Sequence, residues 1–164
     1  TENDYKQIDL AAWMHEIGKI SMTEHIIDKA TKLEKIFDRI DLIEQRFELI
    51  KKNKEIEYLK NLISKKSFEN EIKELNQNIE FIKRINLGGE FMLDEDILKL
   101  KNLSFKTYIN NDEELPYLTN DEVYNLSIRK GTLTKEEIQI IKNHAQLSLD
   151  MISELPFPKR YKDV

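Results

Sequence analysis

The sequence predicts an all-α protein, and three observations carry that expectation. Gly and Pro are scarce, four and three in 164 residues, which leaves little material for the many turns of a β-sandwich or barrel. Apolar residues recur three and four apart through most of the chain. Three stretches open on a Thr followed three residues later by Glu (Thr31 and Glu34, Thr119 and Glu122, Thr134 and Glu137), the spacing of a helix capping box. Hydrophobic residues at 40% and charged residues at 35% suit a soluble, charge-rich helical protein rather than a disordered one.

The elements follow in order. A first helix runs from about Tyr5 to Ile17 with Ile8, Ala11, Ala12 and His15 on one face, and Gly18 ends it. Met22 to Lys29 reads as a short helical turn. Thr31 then starts a long helix whose Leu33, Ile36, Ile40, Ile43, Phe47 and Ile50 form a heptad seam. The register shifts near Lys54 and resumes at Ile56, Leu59 and Ile63. A polar corner at Ser64 to Ser67 leads into a second helix with Phe68, Ile72, Leu75, Ile79 and Ile82 on one stripe. Two long heptad helices with a short link imply an antiparallel hairpin, closed by Gly88-Gly89. Asp94 caps a helix to about Ile109, and Asn110 to Pro116 reads as a loop. Thr119 opens a short helix, Lys130-Gly131 breaks the chain, and Thr134 caps a last helix to about Ser153. Ile138, Ile141, Ala145, Leu149 and Ile152 form its apolar face, and Pro156 and Pro158 stop it.

Several function classes are set aside by composition. No Cys is present, so disulfides and thiolate metal sites are excluded, and a reducing cytoplasm is the expected compartment. No apolar run approaches the roughly 20 residues of a membrane span. A net charge of −5 argues against a nucleic-acid polymer as partner. The run Lys51, Lys52 and Lys54 is balanced by Glu48, Glu55 and Glu57 and reads as a solvated helix face. Thr1 in place of Met points to a fragment or a processed chain.

Three His allow each to be weighed. His15 and Glu16 end the first helix, where an imidazole and a carboxylate can both reach a metal, and the break at Gly18 brings Lys19 to the same spot. His25 reads as a residue that packs or supports the site from behind, rather than one that contacts substrate. Trp13 reads as core, and Asp28, Lys29 and Lys32 as a solvated face. By spacing alone the His-Glu pair is an ordinary helix-end feature.

The stretch Ala11-Ala12-Trp13-Met14-His15-Glu16-Ile17-Gly18-Lys19-Ile20 resembles the signature helix of the HD superfamily of phosphohydrolases, which usually reads Leu-His-Asp-Ile-Gly-Lys. Residues 23–33 resemble the HD-GYP branch, and the likeness resumes at Arg129-Lys130-Gly131-Thr132-Leu133-Thr134 and continues to Lys159. The two blocks cover roughly seventy residues, in the family's order. The resemblance implies an HD-domain-like helical body, of which residues 1–164 are a part. An antiparallel coiled-coil helical hairpin, residues 31–88, is inserted between its ligand helices. It implies a metal site with His15, Glu16 and His144 as ligands, iron or manganese as the divalent metal, and Lys19 as the catalytic residue that contacts phosphate. It implies hydrolysis of the bacterial second messenger cyclic di-GMP. No separate organic cofactor is expected. The heptads allow a homodimer through the helical arm, although an antiparallel hairpin can equally satisfy its own seam.

Departures from the family pattern are equally concrete. Glu16 stands where Asp is usual, and its extra methylene displaces the carboxylate by about one bond length in a site whose metals sit only about 3.5–4 Å apart. The family's upstream ligand, paired His, later Asp and Gly-Tyr-Pro motif have no counterpart here. The expected site is therefore incomplete and the isolated chain inactive. The rival expectation is a degenerate HD-type module that signals or binds without catalysis.

Overall fold

The computed structural model describes residues 5, 8, 9, 12–14 and 17–154. His15, Glu16, Pro156 and Pro158 lie outside the described residues. The chain divides into two compact units, one of residues 1–28 and 134–164, the other of residues 29–133.

In the first unit, the described residues before 15 are helical, and a tight 3-10 turn spans Ile17–Ser21. Helix α1 (Glu24–Ile27) is one turn long. The last helix of the chain (Lys135–Ser153) belongs here and opens on the expected capping box. Thr134 Oγ1 accepts from Glu137 N at 3.2 Å, and Glu137 returns the bond to Thr134 N at 2.7 Å.

The second unit is built on two long helices, α2 (Ile40–Leu59) and α3 (Lys65–Asn86), packed against each other. Asn61 at φ 59 makes the corner, and the Ser64 hydroxyl caps α3 by accepting from Ser67 N at 3.2 Å. Ile43, Phe47 and Ile50 of α2 face Leu75, Ile79 and Ile82 of α3 in one core. Helix α4 (Asp94–Ser104) and helix α5 (Asn120–Leu126) close that core through Leu100, Leu103 and Leu126. The Lys135–Ser153 helix is α6. Buried Glu122 serves twice: it completes the α5 capping box with Thr119 and takes a forked pair from Arg46 at 2.8 and 3.1 Å.

The largely helical class holds, and four expectations about its elements are corrected. First, the long helix starts at Ile40 and not at Thr31. Glu34 does reach back to the Thr31 and Ala30 amides, at 3.2 and 2.6 Å, but the Thr31 hydroxyl donates to Asp38 at 2.7 Å. The other half of the box never forms. Asn86, at the end of α3, binds this segment instead: its backbone oxygen accepts from Lys32 N and its side-chain oxygen from Leu33 N, both at 2.8 Å.

Second, the seam is shorter than the apolar pattern. Ile36 is 92% exposed because residues 32–39 are not helical, and Ile56 and Leu59 are exposed beyond the last α2 turn that faces the core. Third, α4 ends at Ser104, and the segment read as helix end and loop is a β-ribbon, β1 (Thr107–Asn110) antiparallel to β2 (Glu113–Pro116). Asn111 and Asp112 hold φ of 49 and 63, as a two-residue hairpin with two left-handed positions requires. Fourth, Trp13 and Ile8 are exposed, as are Ile138 and Leu149 of α6. Apolar spacing marks a face, but burial needs a second element over it, and the residue of α6 that is buried is Ser148.

Candidate functional site

In the first unit the capping box fixes where α6 begins, and from there helical periodicity places His144 and Ser148 one turn apart on one face. Ser148 carries a relay. Its hydroxyl donates to the His144 carbonyl at 3.0 Å and accepts from Gly18 N at 2.9 Å, between residues 130 apart in sequence. Gly18 is buried against this turn. A Cβ there would overlap the His144 carbonyl oxygen and stand 2.8 Å from Ser148 N, so a side chain is excluded by space. The Gly18 of the first block is thus seated on the His144 turn of the second.

The His144 ring is half-buried and its Nδ1 is bonded to the Ile141 carbonyl. A carbonyl only accepts, so Nδ1 is the donor, and the tautomer this bond selects has its lone pair at Nε2. That is the tautomer a metal-ligating His needs, with its other nitrogen donating to backbone. Lys19 follows Gly18 directly and is exposed, as is His25. Among the described residues, no group of three or more His, Asp or Glu side chains could hold a metal. His144 and Lys19 are the expected site residues that fall within them. Ser148 was missed by sequence reasoning. Its signal is its position four residues after His144, where a hydroxyl can reach back to the preceding turn.

The second unit holds buried charge that sequence reasoning assigned to solvent. Lys29 and Lys32 are 7% and 1% exposed. Lys29 Nζ donates to Asn125 Oδ1 at 3.5 Å. Lys32 Nζ lies 3.3 Å from the Leu126 carbonyl and 3.9 Å from Met92 Sδ. The misreading follows from the helix start: in a helix from Thr31, Lys32 and Leu33 diverge by about 100°, whereas here both turn inward. Nearby, the Arg39 guanidinium beside Asp121 holds that carboxyl below its usual range, with Lys35 assisting at 3.4 Å.

No family model, curated protein or solved structure matches the chain. Among the described residues, no helix is long and apolar enough to cross a membrane.

Proposed function

We propose that this chain carries part of a divalent-metal phosphohydrolase site of the HD-GYP type, acting on the phosphodiester of cyclic di-GMP. One observation carries the reading. Gly18 is seated on the turn between His144 and Ser148, which brings together the two sequence blocks that resemble the family. His15, Glu16 and His144 would hold the metal, and two imidazoles with a carboxylate suit iron or manganese. When bound, such a metal supplies a water of lowered pKa and neutralises charge on phosphoryl oxygens.

The chain's own residues then have separable roles. The Ile141 carbonyl fixes the His144 tautomer. The Ser148 relay holds the backbone of His144 against Gly18. The ammonium of Lys19, on the exposed side of the same turn, meets a phosphate oxygen and offsets the charge that gathers there. Glu16 supplies the charge of the usual Asp with a longer reach, and it is the observation that favours a second reading, an HD-type module that binds without turnover.

Metal content and cyclic di-GMP hydrolysis of the natural gene product, measured beside Glu16→Asp and His144→Ala, test both readings. The enzyme reading expects bound metal and turnover in the native protein. His144→Ala should lower metal content at least tenfold and leave the far-UV circular dichroism unchanged, because Gly18 packs on the backbone of residue 144 and not on its ring. Turnover only in Glu16→Asp favours the non-catalytic module. Absence of metal from both proteins rejects the HD-GYP assignment.

A further inference from the structure

The second unit contains a cavity that the proposed phosphohydrolase site does not use. It measures about 220 Å³ and lies where the end of α3 meets the turn through Gly88 and Gly89 and the start of α4. Leu87, Phe91 and Met92 give it apolar walls, and Lys32, Arg84 and Asp96 line it as well. The charged side chains of the lining, Lys32, Arg84, Glu90 and Asp96, sum to zero but are not all directly paired. Arg84 and Asp96 form their own pair at 2.6 Å. Glu90, on the connecting turn, is exposed to water. Lys32 is left with a carbonyl and a thioether, both neutral, and no carboxylate among the described residues pairs with it.

A buried ammonium whose hydrogen-bond partners are both neutral is costly, and such charges are normally paired. Burial pulls the Lys32 amine down to about 8, with Asp96 opposing the shift and Arg84 adding to it. The amine is therefore still charged at neutral pH. The backbone beside it is open to approach, since nothing lies within 4 Å of a Cβ placed on Gly89. Phe91 and Leu87 stay 59% and 66% exposed at this end of the unit.

We propose that this cavity binds a small molecule bearing one carboxylate or phosphate group on a short apolar body, with Lys32 as its counter-ion and Phe91 and Leu87 against the apolar part. The volume falls below the range of about 300–1,000 Å³ typical of drug-sized ligands, so a cyclic dinucleotide is not the occupant. The cavity is lined by residues of the second unit alone, none of which belongs to the proposed phosphohydrolase site.

Benzoate and inorganic phosphate are suitable probes, titrated into the ¹⁵N-labelled protein while the amides of residues 84–96 are followed by NMR. At pH 7 at least one probe should give saturable shifts confined to that segment. Binding of benzoate alone identifies a carboxylate as the ligand group, binding of phosphate alone a phosphate, and binding of either supports the site. Lys32→Met, which keeps an unbranched side chain one atom shorter and removes the charge, should weaken binding at least tenfold. Benzoate does not titrate near neutral pH, so in the native protein its affinity should fall about tenfold per pH unit above the amine's pKa of about 8. That second measurement holds even if the variant fails to fold. Absence of saturable shifts with both probes, or benzoate binding that is unchanged between pH 7 and 9.5, overturns the proposal.

Discussion

A lysine inside a core makes stability depend on pH in a direction opposite to that of a salt-bridged one. Lys32 falls from the ordinary 10.5 to about 8 in the folded protein, mainly through burial. Below pH 8 both folded and unfolded chains hold the proton, and the folded state bears the full cost of burying it. Between about 8 and 10.5 the unfolded chain binds more protons, so stability rises with pH. The gain approaches roughly 3 kcal/mol across that window, at about 1.4 kcal/mol for each pH unit. Urea unfolding of the native protein and Lys32→Met across the same window should show the variant's advantage shrinking by that order as pH climbs, and a constant difference would contradict the assignment. Gly18 offers a second test at this scale. Gly18→Ala drives a methyl into the His144 carbonyl and the Ser148 backbone, and overpacking of this kind costs about 1–3 kcal/mol. Denaturant unfolding of the first unit should register that loss.

At the scale of elements, local chemistry predicted some boundaries and missed others for identifiable reasons. The boxes at Thr119 and Thr134 form in full, each hydroxyl accepting from the amide three residues on. The same spacing at Thr31 fails, because Asp38 takes the hydroxyl and Asn86 takes the Lys32 and Leu33 amides. The β-ribbon was legible only in Asn111 and Asp112, residues that tolerate left-handed backbone. Its strands carry few apolar side chains, and Tyr108 is the one packed against the core cluster. The heptad seam makes a contrast that substitution can measure. Phe47 is fully buried and meets Tyr117 edge-on at 5.5 Å, whereas Ile36 is 92% exposed. Phe47→Ala should cost about 3–5 kcal/mol, and Ile36→Lys should change stability by no more than about 0.5 kcal/mol. Equal losses at the two positions, measured by thermal or urea unfolding, would restore the longer seam.

For the molecule as a whole, the second unit has the anatomy of an inserted module. Its ends meet: the Thr132 hydroxyl donates to the Lys29 carbonyl at 3.1 Å. Its core is its own, drawn from residues 33–126. Gly88 packs against the other end, where a Cβ would stand 2.7 Å from the Gly131 carbonyl. A unit with adjacent ends and a private core folds without its host. Residues 29–133 expressed alone should therefore be helical and unfold in one cooperative transition by circular dichroism, and a chain without a transition would show that the two units depend on each other.

The sequence by itself determined what depends on neighbours within a turn or two. The helical class, the caps of α5 and α6, the α2–α3 pairing stripe and the order of the two family-like blocks were all readable, because caps and amphipathic faces are written in spacings of three and four. Tertiary structure decided the rest. It buried Lys32 through partners 60 and 94 residues away, left Trp13 and Ile36 in solvent, and set Gly18 on Ser148 across 130 residues. Those outcomes turn on which distant element arrives to cover a face or claim a hydrogen bond, and no local pattern in one chain carries that information.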